Sequence, residues 1–322
     1  MAACRMNETF HQHIPVLLRE AVENLVLSPH GIYIDATFGR GSHSQAILDL
    51  LDKNGRLIGF DKDPDAIDYA QHTFHDSRFT IYHTSFADMQ TLLEKEKVWG
   101  HINGILFDLG VSSPQLDNPT RGFSFTREGI LDMRMNTRTG VSAMQWLAQV
   151  GEAELADVLY EYGEEKFSRR IAKAIVTARN QAPIKTTTQL ADIIKFAMPK
   201  PKTRSPQDKH PATRSFQAIR IVVNQELAEL QQGLADALEA LAIGGRLVVI
   251  SFHSLEDRIV KQFIKQHEKG KEIPRGLPIK KRDMQMQSRL KSLGKPIKPN
   301  LQEMNMNPRS RSATLRIAEK QL

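Results

Sequence analysis

The first 110 residues alternate between short apolar runs and amphipathic stretches. Apolar runs of strand length at 31–38, 56–61, 78–86 and 104–110 are bounded by Gly, Pro and Asp turns, which predicts four strands. Between them the apolar positions recur at helical spacing, over about 16–25, 44–51, 64–74 and 87–96. Asp63-Pro64 opens the third of these, a favoured helix start, and Pro15 suits the first turn of the first. Strand–helix alternation implies a parallel sheet covered by helices on both faces.

After Val111 the pattern changes. Residues 112–129 are rich in turn formers and predict a long loop. Helical periodicity then fills 142–150, 152–162, 164–182 and 187–198, and a Pro- and Lys-rich stretch follows at 199–214. One long amphipathic helix is expected over 216–241, then a strand at 244–254, a helix at 255–267, an irregular basic segment and a last strand at 312–320. The fold class is therefore α/β, with an inserted all-helical domain. Residues 1–112 and 215–322 would form the discontinuous α/β domain, and 113–214 the insertion, a candidate substrate-recognition domain.

Composition narrows the setting. No apolar run approaches the 18 residues of a membrane span, and the N-terminal stretch lacks a signal-peptide core. Cys4 is the single cysteine, so an internal disulfide or a cysteine-based metal site is excluded and the cytoplasm is expected. The net charge of +7 is unevenly placed. Residues 258–322 hold 17 Lys and Arg against 5 Asp and Glu, a net +12, which leaves −5 for the first 257. A basic tail on an acidic body points to a polyanionic partner.

The segment IDATFGRGSHS (34–44) carries the first chemistry. A strand ends at Asp35 and turns through Gly39 and Gly41 into a helix, where glycines admit a close ligand and the helix start offers free N–H groups. Asp61, at the end of the next strand, is placed to accept bonds from ribose hydroxyls. A dinucleotide site would have Gly or Ala where Ser44 stands, and Ser42 and His43 leave little room for a pyrophosphate. Asp35 instead suits the ammonium end of a methionine moiety, which favours a methyl donor over a nicotinamide dinucleotide. The fourth strand ends in FDLGVSSPQ (107–115). Asp108 there can accept the N–H bonds of an exocyclic amine and take up its proton, with Ser112, Ser113 and Pro114 beside it. No HExxH, paired CxxC, P-loop lysine or GxSxG motif is present, so no metal chemistry is expected. A dehydrogenase, a non-catalytic assembly factor and a small-metabolite methyltransferase remain as competing readings.

The strings HIPVLLREAV (13–22), GIYIDATFGRGSHS (31–44), DLGVSSPQLD (108–117), RGFSF (121–125), LDMRM (131–135), YGEEKFSRRIAKAI (162–175), HPATRSFQAIRIVVNQEL (210–227) and SFHSLEDRIVK (251–261) occur in that order. With them the chain resembles the bacterial ribosomal RNA small-subunit methyltransferase H family over nearly its whole length. The resemblance implies a class I, Rossmann-like S-adenosylmethionine-dependent methyltransferase that modifies the exocyclic amine of a cytosine in the decoding region of 16S rRNA. It implies that Gly41, Ser42, His43, Asp61, Phe86, Asp108 and Gln115 hold S-adenosylmethionine. Ser42 departs from the family pattern, which has Gly there; its backbone N–H is still available.

The resemblance also directs attention to Phe123 and Phe125 as stacking partners for a flipped base, to Arg134 and Arg258 for phosphate, and to His253 near the acceptor. Core packing and structural ion pairs are the competing roles. Two basic stretches, 199–214 and 275–298, suit backbone phosphates, with Lys280, Lys281 and Arg282 adjacent in the second. The expected partner is 16S rRNA within the small subunit, with no membrane. The oligomeric state is left open, a homodimer included.

Overall fold

A computed structural model of the chain describes residues 15–199, 210–269 and 288–322. Seven strands form one sheet: β1 (Ile32–Asp35), β2 (Arg56–Asp61), β3 (Phe79–His83), β4 (Ile102–Asp108), β5 (Leu241–Ser251), β6 (Leu290–Ser292) and β7 (Thr314–Lys320). Their order is β3-β2-β1-β4-β5-β7-β6. β1 to β5 are parallel, and β7 runs antiparallel between β5 and β6. The order reverses between β1 and β4, the switch point where open α/β sheets bind ligands beyond their carboxyl ends.

Alternate residues of each strand face opposite layers. Ile34, Ile58, Phe107 and Val249 pack under α4 (Met89–Lys95), α11 (Glu226–Ala240) and α12 (Ser254–Glu268). Tyr33, Leu57, Leu106 and Val248 pack under α1 (Leu18–Leu25) and α2 (Ser42–Leu50). The remaining helix of the first half is α3 (Pro64–Thr73). Asp63 caps it, accepting from Asp65 N.

Between β4 and β5 the chain builds α5 (Ser113–Asp117), α6 (Ala143–Gln149), α7 (Glu152–Glu161), α8 (Ser168–Gln181), α9 (Thr187–Ala197) and α10 (Thr213–Asn224). α6 to α10 enclose a second core with Leu147, Leu159, Ile171, Leu190 and Ile219.

The structure departs from expectation in several places. The helix expected over 216–241 is two, because Gln225 adopts φ 53°, a left-handed conformation that ends α10 and starts α11. Phe216, Ala218 and Ile219 of α10 belong to the second core, so the expected boundary at residue 215 falls inside a helix of that layer. The loop at 112–129 contains α5 and a 3-10 turn, Pro119–Arg121. Helix α1 starts at Leu18, after Leu17 in the left-handed region, so Pro15 lies before its first turn. The three residues of β6 lie in the stretch expected to be irregular: they are too few for a periodicity to show. A further short helix, α13 (Leu301–Met306), precedes β7.

Candidate active site

The loops after β1, β2, β3 and β4 converge on one cleft with α11 and the segment before β7. It is lined by Gly39, Ser42, His43, Asp61, Phe86, Asp108, Ser113 and Gln115, among others. Gly39 and Gly41 have φ of 57° and 71°, conformations that side chains disfavour. At Gly41 a Cβ would also fall 2.4 Å from Phe74 Cζ. The turn therefore requires glycine twice, and it delivers the start of α2 to the cleft.

Asp61 supports this turn. Its Oδ2 accepts from Gly39 N at 2.8 Å, and its Oδ1 accepts from Asp63 N at 2.8 Å. Asp63 is buried, and Arg121 and Gln115 donate to its Oδ2 at 2.8 and 2.6 Å. Arg121 is itself 6% exposed and donates to Met135 O and Arg134 O, so one guanidinium ties the helical layer to the cleft wall. A buried ion pair of this kind is costly to break from one side.

Asp108 ends β4. Its N donates to Thr37 Oγ1 at 2.6 Å, which ties the β1 loop to the β4 loop. His43 Nδ1 lies 3.5 Å from Asp108 Oδ2. The other carboxyl oxygen, Oδ1, is buried with no hydrogen-bond partner among the described residues. Burial holds Asp108 well above the usual carboxylate range, and the charges of Asp35 and Glu256 push it the same way. Burial raises Asp35 and Asp61 to about 6. The cleft thus concentrates acidic groups and suits a cationic ligand.

Several candidates take other places. Asp35 does not line the cleft; its oxygens accept from Ser44 Oγ and Thr37 N, which braces the turn. Gly41 and Pro114 are not among the lining residues either, and Gly41 acts through the turn. Phe123 is buried in the second core beside Arg121, not presented for stacking. Phe125 packs edge-on to Phe216 with centroids 4.7 Å apart, and against His210. Arg134 is paired twice with Asp132. His253 caps α12 and lies 3.1 Å from Glu256; it does not line the cleft itself but sits directly behind Phe252 and Glu256, which do. Arg258 meets Glu164 in an exposed pair at 3.3 Å. Lys280, Lys281 and Arg282 lie outside the described residues.

Glu226, His253 and Glu256 place ligand atoms within 4.8 Å of one another. Arg220 already donates to both Glu226 oxygens at 2.8 Å, so a guanidinium supplies the positive charge there.

Sequence reasoning missed Thr37, Lys62, Glu226 and Glu229, and also Asn307 and Arg309 of the segment before β7. Arg309 donates to Ser113 Oγ and Asp117 Oδ1, both at 2.6 Å. Its usable signal was directional: a last strand antiparallel to its neighbours begins at the edge where parallel strands end.

The MraW methylase family model matches residues 10–321. The chain belongs to that family. It is 53% identical to the ribosomal RNA small subunit methyltransferase H of Pseudoalteromonas atlantica, over 96% of this chain and 98% of the relative. It is 55% identical to the protein of that name from Alteromonas mediterranea, over 96% and 97%, and 54% to that from Nitrosococcus oceani, over 98% and 99%. An rRNA methylase structure from Streptococcus thermophilus aligns over 95% of this chain and 93% of its own, at 12% identity and a TM-score of 0.39, too distant a likeness to argue from. The chain is an S-adenosylmethionine-dependent methyltransferase, and its sheet is of the class I type. No helix among the described residues is long and apolar enough to cross a membrane.

Proposed function

We propose that the chain methylates the exocyclic amino group of a cytosine in the decoding region of 16S rRNA, within the small ribosomal subunit in the cytoplasm. The observation that carries this reading is Asp108: a carboxyl at the switch-point strand end, inside the cleft, with one buried oxygen left unbonded among the described residues.

The donor fits the residues present. Ser42 and His43 at the α2 start, Asp61 at the β2 end, Phe86 and Gln115 would hold S-adenosylmethionine, which supplies a methyl group on a sulfonium. Asp61 keeps lone pairs for ribose hydroxyls beyond its two backbone bonds. Phe86, edge-on to Phe107 with centroids 5.2 Å apart, offers an apolar wall for the adenine. On the acceptor side, Asp108 Oδ1 accepts an N–H of the amine, opposes delocalisation of its lone pair into the ring, and takes up the proton released on methylation. Ser113, fixed by Arg309, borders the same space.

Unmethylated small subunits incubated with labelled S-adenosylmethionine should incorporate label at one cytosine, located by mass mapping of nuclease fragments. Label on protein or on a metabolite, with none on rRNA, defeats this reading.

A further inference from the structure

A second cleft opens between the outer half of α12 and the loop that follows β6, with a volume of about 330 Å³. Its floor is apolar, formed by Ile264, Leu293 and Ile317. Lys261 and Lys265 line one wall and Lys295 the other. All three are exposed, and none makes an ion pair or hydrogen bond among the described residues. The arginines nearby are used differently: Arg316 is held by Asp257 at 2.7 Å and Arg289 by Glu239 at 2.8 Å.

Lys261 and Lys265 stand one turn apart on a single face of α12, and Lys269 continues the stripe. Like charges at this spacing weaken a helix. Glu268 is the one acid lining the cleft, and it accepts from Ser292 N. Among the described residues the cleft lining therefore carries a net positive charge, Lys261, Lys265, Lys295 and Arg316 against Glu268.

We propose that this cleft is a binding site for the phosphodiester backbone of single-stranded RNA, distinct from the methyl-transfer cleft. The lysines take successive phosphates, and the apolar floor takes the face of one splayed base. Placement supports this. α12 starts at Ser254, shortly after β5 ends at Ser251, on the acceptor side of the sheet. Lys261 and Lys265 lie about 10 and 16 Å along its axis at about 1.5 Å per residue. A strand whose target base is held at the β4 end can reach them. That RNA is the substrate rests on the function proposed above; the second cleft adds where the flank of that RNA is held.

The test compares the full chain with a Lys261→Gln, Lys265→Gln, Lys295→Gln variant in binding a fluorescent single-stranded RNA oligonucleotide over a range of salt. The log–log salt slope should become shallower by about two, because each phosphate no longer neutralised is worth about 0.7. The three-arginine counterpart should restore it. S-adenosylmethionine affinity, thermal midpoint and kcat at saturating subunits should stay unchanged, while KM for subunits rises. An unchanged slope and KM in the glutamine variant overturns the proposal. So does loss of binding to phosphatidylglycerol vesicles with RNA binding intact, which would make the cleft a membrane contact. Absence of rRNA methylation by the unaltered chain, with the slope difference present, overturns the function reading and leaves this site standing.

Discussion

Asp35, Asp61, Asp108 and Glu256 gather at the carboxyl ends of the strands. His253 and Arg220 keep Glu256 low, so it remains ionised and acts on Asp108. Asp108→Ala should lower kcat by about 10²–10⁴-fold while RNA binding persists, since it removes proton acceptance and leaves the RNA surface intact. Its thermal midpoint should not fall, because the change also removes a buried carboxyl repelled by its neighbours. Full activity in a single-turnover assay would remove Asp108 from the mechanism. The same gathering makes the protein sensitive to pH. Free carboxylates ionise near about 4, whereas Asp35 and Asp61 are raised to about 6. Between those values the unfolded chain releases protons that the folded chain retains. Stability of the free protein should therefore fall as pH rises through that window, and flatten above it. A cationic ligand favours the ionised carboxylates, so S-adenosylmethionine affinity should tighten about tenfold from pH 5 to 7, with proton release seen by calorimetry in buffers of different ionisation enthalpy. Constant affinity would refute the coupling. Asp61 and Asp108 were legible because each ends an apolar run. Asp35 looked equivalent, and only its bonds to Ser44 and Thr37 show that it faces inward.

At the scale of elements, the cleft depends on how closely α11 approaches the β3 loop. Gly233 of α11 is buried, and a Cβ there would lie 2.6 Å from Phe86 Cδ2. Gly233→Ala should push the Phe86 ring toward the cleft and weaken S-adenosylmethionine binding about tenfold, with kcat at saturating donor little altered. Isothermal titration giving an unchanged Kd would show that Phe86 does not contact the donor. The periodicity of α11 was readable, but Gly233 within it looked like a mere weak point in a helix. The break at Gln225 was equally hidden. Glu226, Leu227 and Ala228 after it are good helix formers, and Val222, Val223 and Asn224 before it, though weaker ones, carry the helical periodicity on, so the left-handed turn is imposed by what α10 and α11 each pack against.

Across the molecule, two cores must stay in register for the cleft to keep its walls. Asn224 is 7% exposed and ties α10 to the 133–135 segment of the helical layer: its Nδ2 donates to Met133 O and its Oδ1 accepts from Met135 N, both at 2.7 Å. Met133 has φ 61°, a conformation unfavourable for its side chain that these bonds help hold. Lys62, at the cleft, donates to Asn224 O at 2.9 Å. Asn224→Ala should cost about 1–3 kcal/mol in urea unfolding, because buried backbone groups are left without their partners. It should also raise KM for subunits. A loss confined to stability, with unchanged kinetics, would separate this joint from substrate positioning.

The strand–helix alternation of the first half, the glycine turn, the strand-end positions of Asp61 and Asp108 and the helical character of the insertion were all determined by the sequence itself. Each rests on local rules: side-chain period, glycine's access to positive φ, and the tendency of ligands to sit at strand ends. The tertiary structure alone decided which aromatic residues are buried and which arginines are already paired. It also decided that Arg121, Arg220, Asn224 and Arg309 brace the cleft from far along the chain. Those outcomes depend on residues tens to hundreds of positions apart meeting in space, and no periodicity or spacing encodes a partner that packing alone brings within hydrogen-bond reach.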